Sequence, residues 1–202
     1  MAILDTYRDE RDGFVYKIAK MRDGRWWFAE NFRFDSEESI GSSGVGVRSD
    51  DIRYDPNLFG RFYSLKAALQ ARPHCPLNWR LPDRKDWAKL VASYGGALHD
   101  EIPNSSRRYE GEPNICKALE GDGFSLVRGP FGHNGYEGNW GGDFRFAHFI
   151  SATGPWDHSS GIRKIFGNNK PPHVWFISFS ETAAFENPEL MSFWFSVRYV
   201  RD

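Results

Sequence analysis

Trp87, Leu90, Val91 and Tyr94 recur at i, i+3, i+4 and i+7, the spacing of one helix face. Asp83 precedes them as an N-cap and Gly95-Gly96 follows as a stop, so the pattern predicts a helix over residues 83–94. A shorter helix is predicted from Ser64 as cap through Leu65, Ala68 and Leu69, ended by Pro73. Elsewhere the period is two. Residues 14–18, the aromatic stretch 25–34, and residues 173–180 and 193–200 read as strands, the last beside an N-terminal strand. Beyond Gly95 no stretch carries a helical period. Residues 36–55, rich in Ser, Gly and Asp around Gly41-Ser42-Ser43-Gly44, read as a mobile loop inside one domain. The expected fold is α+β, with two short helices, a small antiparallel sheet and long irregular loops in the C-terminal half, as a single domain over residues 1–202.

Length allows this: a chain of 202 residues can bury a substantial core without a metal or a disulfide framework. The formal net charge is −1, with acidic and basic residues interspersed, so no nucleic-acid partner is expected. The first residues lack a basic segment followed by an apolar run, and no later segment reaches transmembrane length. Neither a signal peptide nor a membrane partner is expected. Two cysteines, Cys75 and Cys116, can form one bridge at most, which suits a reduced cytoplasmic protein; carriage on a phage particle is the other location expected, for a displayed recognition protein. The chain holds 17 Phe, 8 Trp and 8 Tyr, a high aromatic content, of which roughly two thirds are expected in the core and the rest on a recognition surface.

The segment Cys75-Pro76-Leu77-Asn78-Trp79-Arg80-Leu81-Pro82 places two prolines around a Trp-Arg-Leu centre, just before the longer helix. Its backbone is held extended or turned, and Asn78 suits a left-handed position. Arg80 is expected beneath Trp79, donating to backbone carbonyls or to a carboxylate such as Glu30. Four further blocks follow the same order as in a known family. They are Asp12-Gly13-Phe14-Val15-Tyr16-Lys17 with Trp27-Phe28-Ala29-Glu30-Asn31-Phe32, then Phe59-Gly60-Arg61-Phe62-Tyr63-Ser64, then Asp122-Gly123-Phe124-Ser125, and finally Phe195-Ser196-Val197-Arg198-Tyr199-Val200-Arg201-Asp202. Together they resemble the FISUMP family, the major paralogous domain of Fibrobacter. The resemblance implies a C-type-lectin-like fold, which formylglycine-generating enzymes and the variable proteins of diversity-generating retroelements also use. Family members pair the first cysteine with one in the closing segment, but Tyr199 stands there, so Cys75 lacks that partner. Fold does not fix function.

No catalytic pattern emerges. The histidines at 74, 99, 133, 148, 158 and 173 show no metal-ligand spacing, and neither a phosphate-cradling glycine loop nor a nucleophile elbow is present. No catalytic residue, metal or cofactor is expected. Glu112-Pro113-Asn114 spells a calcium-lectin tripeptide and Trp156-Asp157-His158 resembles its downstream companion. The tripeptide precedes the Gly-Phe-Ser turn, though, and a surface turn explains it equally well. Between Gly129 and Pro172, glycines and prolines bound short pieces rich in Asn, Asp, His, Trp, Tyr and Arg, the residue types of paratopes. Tyr136, Asn139, Trp140, Asp143, Arg145, His148, Trp156, Asp157, His158, Arg163, Asn168 and Asn169 are therefore the expected ligand-binding residues. The function expected is non-catalytic recognition of a protein or carbohydrate. Its loops have a composition compatible with adenine-directed diversification. A formylglycine-generating-enzyme-like metalloenzyme and an assembly protein remain the alternatives.

Overall fold

The computed structural model describes residues 2–34, 39–40, 59–70, 79–98, 107–111, 114–129, 131–133, 140–141, 145–153, 173–181, 183–190 and 193–202. Strands β1 (Ile3–Arg8), β2 (Val15–Lys20) and β3 (Trp26–Phe28) form an antiparallel sheet that β14 (Val200–Arg201) completes beside β3. The strand expected over residues 193–200 is thus divided: only its end, from Val200, lies beside an N-terminal strand, and Phe193–Ser196 joins the second sheet. A second, larger sheet runs β4 (Ser39–Ile40), β5 (Phe62–Tyr63), β13 (Phe193–Ser196), β10 (Ala147–Ile150), β11 (His173–Phe179), β12 (Ala184–Leu190), β7 (Arg107–Gly111) and β6 (Gly96–Leu98). Strand β8 (Phe131–His133) branches from β13 and carries β9 (Trp140–Gly141). The β10–β13 pair is parallel and the other pairs are antiparallel, so the sheet is mixed and larger than expected.

Helix α1 (Leu65–Gln70) begins at Ser64, whose Oγ accepts from the Ala67 N–H at 3.1 Å. Helix α2 (Arg84–Ala92) starts with a full capping box, in which Asp83 accepts from the Asp86 N–H at 2.9 Å and Asp86 accepts from the Asp83 N–H at 2.7 Å. Two orphan N–H groups are satisfied reciprocally, and Gly95 ends the turn at φ 88°. Trp87, Leu90, Val91 and Tyr94 are all buried, as their spacing requires. A third helix, α3 (Ile115–Gly121), corrects the expectation that none lies beyond Gly95. It has only two turns, with Ile115, Cys116 and Leu119 facing inward, too short a run for a period to show. No helix among the described residues is long and apolar enough to cross a membrane.

Strands β2, β3, β10 and β11 lie between two apolar clusters and feed both by alternation. Ala19, Trp27, Phe149, Ile177 and Phe179 face one cluster, with α2 and α3. Ile18, Phe28, Ile150, Val174 and Phe176 face the other, with Trp79, Leu81 and Phe195. In the first cluster, Trp27 and Trp87 rings lie 4.9 Å apart and Trp87 stacks on Phe149 at 5.7 Å. In the second, Phe28 meets Trp79 edge-on at 4.7 Å and Phe176 stacks on Phe195 at 4.5 Å.

Candidate functional site: the polar end of the central sheet

His148 stands opposite Ser178 in the β10–β11 register, so the two side chains share a face. Nδ1 of His148 lies 2.8 Å from the Ser178 hydroxyl oxygen. Asn187, diagonal to Ser178 on β12, donates from Nδ2 to the same oxygen at 3.4 Å. Three aromatic rings frame this group. Phe146 lies 5.9 Å from the His148 ring and 6.0 Å from Phe185, and Phe176 lies 5.8 Å from His148. Alternation puts these residues on the side that Ile150, Val174 and Phe176 bury further along, so the second cluster passes into a polar end here. His148 and Ser178 form a buried floor. Phe146, Phe185 and Asn187 are half-buried, and Arg145 is exposed in the turn entering β10. Ring faces beside a hydroxyl, an imidazole and an amide can pack on apolar ligand surface while accepting and donating hydrogen bonds.

Of the residues expected to bind, Arg145 and His148 fall at this end of the sheet. Trp140 lies on β9, which joins the same sheet through β8 and β13. Tyr136, Asn139, Asp143, Trp156, Asp157, His158, Arg163, Asn168 and Asn169 lie outside the described residues, as do Cys75, Asn78, and Glu112-Pro113 of the calcium tripeptide. Ser178, Asn187, Phe176 and Phe185 went unnoticed in the sequence. They stand on the two paired strands β11 and β12, where a polar residue alternating with Phe is ordinary for a half-buried strand, and only the arrival of His148 from β10 sets them apart.

Arg80 donates to a carboxylate, as expected, but that carboxylate is not Glu30. Both terminal guanidinium nitrogens of Arg80, Nη1 and Nη2, donate to the Asp86 carboxylate, Nη2 at 2.8 Å. Asp86 sits in the first turn of α2 and is far closer in the chain. Arg25 donates to the same carboxylate and, at 3.0 Å, to the Asp86 carbonyl, while Asp23 holds the Arg25 Nε at 2.9 Å. Burial opposes ionisation of Asp86, but the hydrogen bonds from Arg80, the Asp83 N–H and Arg25 prevail and bring its pKa down to about 2. The guanidinium over Trp79 is that of Arg201, 4.8 Å from the ring. Glu30 instead accepts from the Lys17 N–H at 3.1 Å.

Two further scaffold arginines were invisible in the sequence. Arg84, the first residue of α2, donates to the buried Glu186 carboxylate of β12 at 2.6 and 2.9 Å and lies 3.8 Å over the Trp175 ring. Arg198 is fully buried. It donates to the carbonyls of Phe28 and Ser125 and packs between the rings of Phe124 and Phe149, and burial lowers its pKa to about 9. Burial likewise pushes the free Cys116 thiol up to about 11, which keeps it protonated at neutral pH. Among the described residues, no group of three or more His, Cys, Asp or Glu side chains is placed to hold a metal ion. No curated protein and no solved structure matches this chain. The family model described as the Fibrobacter succinogenes major domain matches residues 22–201, and with nearly its whole length covered the chain belongs to that family.

Proposed function

We propose that this protein is a non-catalytic recognition module on a C-type-lectin-like scaffold, presenting the polar end of β10–β12 to a protein or glycan. The observation that carries the reading is the Ser178–His148–Asn187 group set within Phe146, Phe176 and Phe185. Rigid rings beside adaptable polar groups are what recognition surfaces use, and the half-buried Phe146, Phe185 and Asn187 offer such a rim. The long segment from Gly129 to Pro172, with Trp140 and Trp156, supplies further anchors of the same type.

A glycan array and a pull-down with the full chain, each with and without calcium, identify the ligand class. Phe185→Ala and Asn187→Ala should each weaken capture by more than about 1 kcal/mol while the melting temperature changes little. Trp156→Ala should do the same. Capture that needs calcium and disappears in Glu112→Ala would replace this reading with calcium-dependent sugar binding. Stoichiometric copper or iron in the purified protein, lost on replacing His148, would replace it with a metalloenzyme.

A further inference from the structure

Where β2 and the residues after β3 meet the turn after α3, a pocket of about 210 Å³ opens to solvent. Lys17, Glu30, Asn31, Arg33 and Ser125 supply its polar lining, and Gly60 closes one wall. Gly60 has φ 70°, and a Cβ there would stand 2.6 Å from the Phe32 carbonyl oxygen, so the wall depends on glycine. Two of the lining groups carry unused hydrogen-bonding capacity. Asn31, only 4% exposed, donates to the Phe59 carbonyl at 2.7 Å, yet its Oδ1 has no partner. Arg33 lies 3.5 Å over the Phe14 ring, its Nε has no partner, and no ion pair joins it to a carboxylate among the described residues.

Charge around the pocket is unbalanced. Among the described lining residues, Lys17 and Arg33 face a single carboxylate, Glu30, one oxygen of which already accepts from the Lys17 N–H. Arg198 donates to the carbonyl of the lining residue Ser125 and adds a third cation, and the carboxylate that acts on it is again Glu30. An anion is attracted here, because a partly desolvated cation gains from any charge-assisted hydrogen bond. Glu30 disfavours a multiply charged anion and favours a ligand whose other end donates. The volume is below the roughly 300 Å³ at which drug-sized sites begin, which suits one sugar ring or one amino acid.

We propose that this pocket is a binding site, separate from the recognition face, for a small carboxylate-bearing molecule whose carboxylate meets Arg33 and Lys17 while its hydroxyl or ammonium donors meet Glu30. A sugar acid and a free amino acid share this chemistry. The test is an amide NMR titration of the labelled full chain with galacturonate, galactose, alanine, alaninamide and inorganic phosphate. Galacturonate or alanine should shift the amides of Lys17, Glu30, Asn31 and Ser125, and the neutral analogues should not. Response to galacturonate alone assigns a sugar acid, and response to alanine alone an amino acid. Lys17→Gln and Arg33→Gln should each weaken binding by about tenfold, the loss of one charge-assisted hydrogen bond. If Arg33→Gln unfolds, the solvent-exposed Lys17→Gln carries the test. The proposal fails if no carboxylate shifts these amides by about 20 mM, a concentration well above millimolar affinity. It fails equally if phosphate outcompetes both carboxylates, if Lys17→Gln binds as the parent does, or if the shifts fall on His148 and Asn187.

Discussion

Asp86 receives both Arg80 and Arg25 and closes the capping box of α2, so its loss strands two guanidinium groups and an N–H together. Asp86→Asn should cost on the order of 3–5 kcal/mol, the range for breaking a buried ion pair from one side. Arg80→Ala should cost less, about 1–2 kcal/mol, because its side chain is 34% exposed and water replaces part of what it loses. Urea unfolding of the two variants checks the order, and equal losses would mean the network is not centred on Asp86. The pH dependence follows with a definite sign. The folded pKa of about 2 lies below the ordinary 3.8, so the stabilisation is present above about pH 4 and lost as pH falls through about 2. Asp86→Asn should flatten the stability profile in that window. At the other end, burial raises the Tyr16 and Tyr94 phenols above their ordinary value of 10.0, and Asp122 accepting from Tyr94 adds to the effect there. Their stabilisation is full below pH 10 and declines above it, and Tyr94→Phe should soften the alkaline loss seen by circular dichroism.

Among the connecting elements, two glycine turns separate backbone strain from crowding. Gly24 has φ 83° and nothing within 4 Å of where a Cβ would stand, so Gly24→Ala should cost about 1 kcal/mol, from conformation alone. Gly60, at φ 70°, adds the approach of its would-be Cβ to the Phe32 carbonyl and to the Asn31 Cβ at 2.8 Å. Gly60→Ala should therefore cost clearly more, about 2–4 kcal/mol, and disturb the Glu30–Asn31 wall of the pocket. Thermal melts of the pair decide this, and similar losses would show that the wall yields. Helix α2 shows how an element is held at both levels. Its cap is local, whereas Arg84 reaches Glu186 across 102 residues of chain.

For the molecule as a whole, the placing of β2, β3, β10 and β11 between two clusters predicts one cooperative unit. Trp27 reports on one cluster and Trp79 on the other, but neither cluster can loosen without dislodging strands that also line its neighbour. Unfolding followed by tryptophan fluorescence and by backbone circular dichroism should coincide, and Trp27→Ala should lower the midpoint of both signals together by about 3–5 kcal/mol of stability. Two separated transitions would instead divide the chain into independent halves.

Legible in the residue order were the features whose causes are local. The face of α2, its Asp83 cap, the Ser64 cap of α1 and the strands near residues 14–18 and 173–180 all follow from spacing and from side chains that reach their own backbone. The blocks that carry the family resemblance were legible too, and three of them, through Glu30-Asn31, Gly60 and Ser125, meet at the pocket. Their meeting was not legible. Sheet order, the parallel β10–β13 pair and the exchange of Glu30 for Asp86 as the partner of Arg80 depend on which distant segments bury apolar surface against each other. The same holds for His148, whose neighbours Ser178 and Asn187 arrive from strands 30 and more residues away. Periodicity states which side of a strand is buried, but only packing decides what it is buried against, because the hydrophobic effect has no direction of its own.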